Sequence, residues 1–491
     1  MTATSLRIAL AQLNPTIGDI AGNAALIRAA RRQAADAGAE LVAFPELCLC
    51  GWPPEDLALS PALQDACRKA CEALARETAD GGPALLVGLL WVEGGRLYNG
   101  VALLDAGLIQ SVRFKVTLEK DGPIDEARAF TPGPLPGPIV FRDKVRLGVP
   151  LGGDLRDEEV VECLAETGAE LLLALAASPF RRGGGDARLS TAVARIVESG
   201  LPLVWLNQTG GQGELVFDGA SFALAADRSL THQFPAFRDA LVMTDWRREA
   251  GRWRSDPGEV AAVETGDEAD YAACVLGLRD FAGMSGLGHI LLHDLGDAGS
   301  ALAAAMAADA LGPANVLCEA AATGDVPPET LAIVGIDASR LALGEGARLG
   351  DFNPLKDVPA TQVRRLLALR RRWRPAGALG PQMGEGLDDF PPADAAQDAI
   401  IAALAEPGLR VAGIVARGHD RDVVMRLMQA LLQSEGARRR AAPGPLLSPE
   451  AKMQRSLPLL HRFEDTGCEP HEPDHDLVKG VGRAGGEAVD F

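Results

Sequence analysis

The sequence predicts an α/β protein built from two packed units, and three observations carry that prediction. From residue 6 to about 250, apolar bursts of strand character alternate with amphipathic helical stretches. Within that span, residues 84–115 hold three bursts joined by short Gly-containing connections, the pattern of an antiparallel meander. Near 289–319 a strand, a Gly-containing loop, a helix and a second strand follow in order, which is a βαβ opening. At 491 residues and 47% apolar, the chain is too long for one ordinary core and rich enough for two.

In chain order, residues 6–13 read as a first strand, 23–37 as a helix and 41–44 as a second strand. The meander follows at 84–91, 97–104 and 108–115. A strand at 145–151 leads to a helix from 157, a strand at 170–175 to a helix from 186, and a strand at 202–207 closes the pattern. A layered sandwich of mixed sheets and helices accommodates this order. The polar, Gly-containing stretch 247–267 ends it and places a boundary near 255–265. Beyond lie a helix at 268–284, strands at 289–293, 315–319 and 331–336, and helices at 300–311, 360–374, 393–405 and 420–434. A loop spans 375–392, and the last twenty residues read as an unstructured tail. The predicted division is 1–258, 265–470 and a tail at 471–491.

A formal charge of -19 excludes a surface for nucleic acid or anionic membrane, which needs a lysine and arginine excess. The runs Arg370-Arg371-Arg372 and Arg438-Arg439-Arg440 therefore read as solvated helix faces or subunit contacts. The opening apolar run breaks at Gln12 and Asn14, too early for a secretory signal, and no stretch of eighteen apolar residues occurs, so a soluble protein is expected. Eight cysteines at 48, 50, 67, 71, 163, 274, 318 and 468 lack the spacing of a disulfide scaffold and suit a reducing cytoplasm. No metal site is predicted. His289 and His293 are four apart on a strand and thus about 13 Å from each other, and His471 and His475 fall in the polar tail.

Three segments form a constellation: Phe44-Pro45-Glu46-Leu47, Lys115 with Asp125-Glu126, and Gly148-Val149-Pro150-Leu151-Gly152-Gly153-Asp154. Together they resemble the nitrilase superfamily. The longer stretches AQLNPTIGDIAGN, FPELCLCGWPPEDL and LNQTGGQGELVFDGASF, with FNPLKDV and SEGARRRAAPG later in the chain, resemble the glutamine-dependent NAD+ synthetase family. That resemblance implies a nitrilase-like α-β-β-α sandwich followed by a Rossmann-like ATP-pyrophosphatase α/β domain, here shortened. It also implies a glutaminase half that frees ammonia and a ligase half that amidates nicotinic acid adenine dinucleotide with ATP. By position, Glu46 matches the general base, Lys115 the lysine that stabilises the tetrahedral intermediate, and Glu126 and Ser178 match residues framing the glutamine pocket. Arg181-Arg182-Gly183-Gly184-Gly185 is similar to the loop that orients glutamine.

The cysteine nucleophile of the family falls on Gly152. Glycine cannot attack a carbonyl, and deleting a nucleophile from a triad that works as a unit removes about a millionfold in turnover in a well-studied protease. Cys163 lies within the following helix, about 16 Å along it, and Cys48 and Cys50 read as small buried hydrophobes. The ligase half departs from its family as well. The Ser-Gly-Gly-x-Asp-Ser phosphate loop is matched only at Gly296 and Ser300, while Leu295, Asp297 and Gly299 replace the first serine, second glycine and aspartate. A carboxylate about 4 Å from a phosphate charge costs about 1 to 4 kcal/mol, so Asp297 opposes ATP. The Lys-Ser-Glu signature has no counterpart. Asn353 and Lys356 of FNPLKDV remain as candidate ATP-site residues, with Lys356 expected to be solvated or paired with a local carboxylate such as Asp357.

The resulting expectation is a catalytically inactive paralogue, with Glu46 and Lys115 kept as a buried ion pair and the chain acting in a homo-oligomer or with an active NAD+ synthetase. An active synthase and a glutamine or dinucleotide sensor are the alternatives. No cofactor is expected; ATP and Mg2+ are implied only if the family activity survives.

Overall fold

The computed structural model describes residues 5–121, 124–319, 326–347, 349–381, 390–406 and 409–448. The expectation of an unstructured tail falls outside the described residues.

The first unit is a four-layer sandwich. One sheet runs Arg252–Ser255, Ala240–Glu249, Ser5–Gln12, Leu41–Ala43, Ala84–Glu93, Arg96–Asp105 and Leu108–Phe114. The other runs Leu230–Gln233, Phe222–Leu224, Leu203–Asn207, Leu171–Ala176, Val145–Gly148 and Ile139–Phe141. Strand alternation explains the layering. Leu6, Ile8 and Leu10 point to the second sheet and pack with Leu147, Leu173, Leu175 and Val204, whereas Ala9 and Ala11 point the other way, under helices. Small residues there let Ile20–Asp36 and Pro61–Glu77 lie close, the former burying Asn23, Ala24, Ile27, Ala30 and Ala34 along one face. Asp19 starts that helix by accepting the Gly22 N–H at 2.8 Å. Glu158–Glu166 and Gly184–Ser199 cover the opposite side through Val160, Leu164, Ala192 and Ile196.

The stretch 247–267 looks like the end of the first pattern, but much of it belongs to the sandwich. Ala240–Glu249 pairs antiparallel with Ser5–Gln12 along its length, and Arg252–Ser255 extends it as an edge hairpin. Its outward side chains are charged, as an edge strand's are, which gives the segment the look of a linker. The helix Pro61–Glu77 is an element that the pattern reading passes over, as is the short helix Val411–Ala416.

The second unit has a three-stranded parallel sheet, with His289–His293 between Val316–Cys318 and Thr330–Val334. Helices Asp267–Met284, Ala298–Leu311 and Ala360–Arg372 supply its core. The helix Asp267–Met284 is buried on nearly every side because it also packs on the hairpin Thr209–Gln212 and Leu215–Asp218 of the first unit. Asp280 fixes that contact, accepting from Asn14 Nδ2 at 2.8 Å and from the Gly211 N–H at 2.7 Å. Among the described residues no helix is long and apolar enough to cross a membrane.

Candidate functional site

Glu46 follows the strand Leu41–Ala43 on a turn that Gly88 of the neighbouring strand accommodates: a Cβ on Gly88 would stand 2.4 Å from Pro45 O and from Leu47 N. Lys115 is the residue after Leu108–Phe114, its N–H still paired to Asn99 O at 2.8 Å. Gly152 opens a 3-10 turn, Gly152–Arg156, beyond the strand Val145–Gly148. These three elements, with the short turn Glu126–Arg128, bring Glu46, Lys115, Glu126 and Gly152 together at one point.

There, Lys115 Nζ sits 2.7 Å from Glu46 Oε1 and 2.7 Å from Glu126 Oε2. Asn99 Nδ2 donates to Glu46 Oε1 at 2.8 Å and to Glu126 Oε1 at 2.9 Å, and the Ala177 N–H donates to Glu46 Oε2 at 3.2 Å. One ammonium thus serves two carboxylates. Burial pushes the Glu46 carboxyl up to about 7, with Lys115 opposing that rise and Glu126 adding to it. Burial works against the Lys115 charge too, but Glu46, Glu126 and Glu119 outweigh it and hold the ammonium above its ordinary value. Asp154 knits the turn to the lysine strand, accepting from Val116 N at 2.9 Å, Thr117 N at 2.8 Å and Leu151 N at 3.0 Å.

Gly152 faces this cluster directly. It has φ +45°, and a Cβ built on it would lie 2.5 Å from Glu46 Oε2 and 3.0 Å from Lys115 Nζ. Gly152 is therefore adjacent to both the Glu46 carboxylate and the Lys115 ammonium, and carries no side chain. Ser178 is half-buried; its N–H donates to Asn207 Oδ1 at 2.7 Å and its carbonyl accepts from Asn207 Nδ2 at 3.1 Å. Cys48 and Cys50 are buried in the outer layer, where burial pushes the Cys48 thiol up to about 12; Cys163 lies in the helix Glu158–Glu166. A small pocket of about 70 Å³ lies beside the cluster, lined by Trp52, Asp125, Glu126 and Phe130 among others.

The second candidate site is arranged differently. Asp297 caps the helix Ala298–Leu311: Oδ1 accepts the Ser300 N–H at 2.8 Å and Oδ2 pairs with Arg340 Nη1 at 2.5 Å. Ser300 Oγ accepts the Leu295 N–H at 3.0 Å, and Gly296 occupies the tight turn at φ +67°. The helix N-terminus, where a phosphate would sit, already holds an internal carboxylate. Asn353 is buried and bonds to the backbone of Ile336 and Leu355. Lys356 is neither solvated nor paired with a neighbouring carboxylate: it pairs with Glu214 of the first unit. Asp357 is turned the other way, accepting from Leu447 N at 2.7 Å and Ser448 N at 2.6 Å. FNPLKDV is thus a staple between units in this chain. These residues do not fit ATP phosphates, and no three His, Cys, Asp or Glu side chains among the described residues gather as a metal would need.

Arg182 of the Arg-Gly loop also bridges the junction, to Asp270 Oδ2 at 2.6 Å and Gln362 Oε1 at 3.0 Å. The sequence reading passes over Asn99 and Asn207. Their signal is there, since each is an amide within or at the end of an apolar strand burst, where an unpaired polar group would be costly.

A two-sheet sandwich with a buried glutamate and lysine against a strand-end turn defines the carbon-nitrogen hydrolase class, and the pattern of the Carbon-nitrogen hydrolase family matches residues 7–254. The glutamine-dependent NAD(+) synthetase of Rhodobacter capsulatus is 35% identical over 548 residues, covering 94% of this chain and 99% of that protein. The chain belongs to the glutamine-dependent NAD(+) synthetase family. A solved structure of that enzyme from Acinetobacter baumannii, in complex with ADP, is 27% identical with a TM-score of 0.70, over 92% of this chain and 97% of the other. The Cytophaga hutchinsonii protein shares the fold at 18% identity and a TM-score of 0.76, over 94% and 98% of the two chains. The 548-residue alignment is longer than the 491 residues of this chain, so the relative has segments that this chain lacks.

Proposed function

We propose that this chain is a family member that neither hydrolyses glutamine nor amidates the dinucleotide, and that it serves as a structural or regulatory subunit linked to NAD+ biosynthesis. It joins its own copies or an active synthetase, in the cytoplasm, and needs no cofactor. One observation carries the reading: Gly152 lies where Glu46 and Lys115 converge, so the base and the cation face backbone alone. Asp297 at the second site supports it, since the helix end is satisfied from within. The seven described cysteines are free thiols, in keeping with a reducing compartment.

The test is an assay of the purified chain for glutamate release from glutamine, and for NAD+ from ATP, ammonia and nicotinic acid adenine dinucleotide. Both are expected at buffer background. Turnover that vanishes on Glu46→Gln or Asp297→Ala overturns the reading. For the assembly, co-purification with an active synthetase is expected; a strict monomer that captures none excludes it. A glutamine sensor is the second reading, favoured by the pocket beside Glu126; a rise in melting temperature with glutamine distinguishes it from a plain scaffold.

A further inference from the structure

A cavity of about 740 Å³ opens at the junction of the two units, between the helix Gly184–Ser199, the strand Leu230–Gln233 and the start of Asp267–Met284, and shares no lining residue with the Glu46 cluster. Its size is that of a site for a small organic molecule. Phe180, Phe222, Phe237 and Leu224 supply apolar wall from the first unit, and Ala269 and Pro359 from the second. Phe180 and Phe237 meet edge to face with ring centroids 5.5 Å apart, and Phe222 stacks on Trp205 at 6.0 Å. Three rings held in place around one space favour an aromatic guest, which gains ring contacts beyond the burial of its area.

Five arginines and five carboxylates also line the cavity, so its charges cancel. Arg188 pairs with Asp218, Arg182 with Asp270 and Arg365 with Asp267. Arg181 donates to two backbone carbonyls, Phe180 O at 3.1 Å and Leu446 O at 2.8 Å, while Arg228 is exposed and donates to Asp227 O at 3.3 Å. Asp186 is exposed on the first turn of its helix. A charged guest would give up its hydration here for no net attraction, whereas a neutral one has little hydration to lose. Glu264 differs from the other nine. It is half-buried, with no ion pair and no side-chain hydrogen bond to another described residue, and burial pushes its carboxyl up against the opposing pull of its own N–H and of Arg238, with Glu268 adding to the rise. An acceptor so placed is stabilised by a donor on the guest.

We propose that this cavity binds an uncharged aromatic molecule carrying one N–H or O–H donor, which hydrogen-bonds to Glu264 while its rings lie among Phe180, Phe222 and Phe237. Because the walls come from both units, such a ligand adds an apolar contact to the polar staples already made by Arg182 and Lys356. The site is independent of the Glu46 and Asp297 sites, and its occupancy does not depend on whether either of them turns over.

The test is calorimetric titration of the full chain with four probes: indole, which is neutral with one N–H; N-methylindole, which lacks that donor; tryptamine, which is cationic; and indoleacetate, which is anionic. Indole is expected to bind saturably at one per chain, N-methylindole about tenfold more weakly because Glu264 is left without its donor, and neither charged probe to displace indole. In Glu264→Leu the two neutral probes should bind alike. Leu230→Asp sets a charge on a wall position that is 42% exposed, so the fold tolerates it, and should weaken indole about tenfold. Equal binding of the two neutral probes to the wild type, displacement of indole by a charged probe, or indole binding that Leu230→Asp leaves unchanged overturns the proposal. So does an absence of saturable indole binding; a chain that then sediments as a dimer, and as a monomer with Leu230→Asp, assigns the cavity to a second copy.

Discussion

The two candidate sites of this chain are arranged in opposite ways. At the first, a polar framework surrounds a position without a side chain: Glu46, Lys115, Glu126 and Asn99 form a closed network around Gly152. At the second, the space itself is taken, because Asp297 caps the helix and binds Arg340 where an anion would sit. On the proposed reading, the first centre lacks a reactive atom and the second has its donors satisfied internally. The two arrangements predict different responses to a single substitution, and the largest expected effect rests on that asymmetry.

Gly152→Cys should raise glutamate release by on the order of 10²-fold above the wild-type background, the lower range that a positioned general base supplies. The gain is limited because the new Cβ must displace the Glu46 carboxylate and adopt a left-handed φ. Gly152→Ala introduces the same crowding without sulfur and should release nothing. If the two variants are indistinguishable, the first site is damaged beyond its nucleophile and the contrast with the second dissolves. Lys115→Met probes the same framework through stability. It leaves two buried carboxylates without their cation, and a loss of about 3 to 5 kcal/mol by denaturant titration is expected.

Asp297→Ala is the matching experiment on the second site. It removes a helix cap and the Arg340 partner, which should cost about 0.5 to 2 kcal/mol. ATP should still give no thermal shift, because Gly299 and Gly335 pack backbone to backbone at the helix start: a Cβ on Gly299 would meet Gly335 O at 2.1 Å. An ATP-dependent shift in this variant would mean that the site was merely plugged.

Titration separates the sites further. The Glu46 carboxyl is raised to about 7 in the fold from its ordinary 4.5, so between those values the native state holds a proton that the unfolded chain has released. Its contribution to stability is therefore largest below about 4.5 and falls as pH rises toward 7, at no more than about 1.4 kcal/mol per pH unit. Asp154, raised by burial to about 6, acts in the same direction over a slightly more acid window. Unfolding midpoints measured from pH 4.5 to 7.5 should show that decline in the wild type and a shallower one in Glu46→Gln.

Much of the first site is legible in the sequence because its residues lie in short contiguous motifs whose chemistry constrains each position. Glu46 and Lys115 meet as the resemblance implies, and Gly152 falls at their meeting point. The strand His289–His293 and its neighbours are readable as a βαβ pattern for the same local reason. What escapes is either long-range or two-faced. Asp297 and Arg340 are 43 residues apart, and nothing in a linear pattern assigns one to the other. The edge hairpin at 240–255 hides because one of its faces is charged. Lys356 escapes in the same manner: with a carboxylate beside it at Asp357, the local pairing is the natural reading, yet its partner Glu214 is 142 residues away.

That last pair sets the smallest expected effect. Lys356 and Glu214 are both partly exposed, at 14% and 31%, so solvent screening limits the bridge to about 1 kcal/mol or less. The Glu214 carboxylate also accepts weakly from the Gly444 N–H at 3.4 Å, which keeps it from being stranded when the lysine is removed. A double-mutant cycle of Lys356→Ala and Glu214→Ala, followed by denaturant titration, should return a coupling within that bound and should weaken further in high salt. A coupling of several kcal/mol would contradict this reading, since it would require the junction to be far less hydrated than these exposures allow.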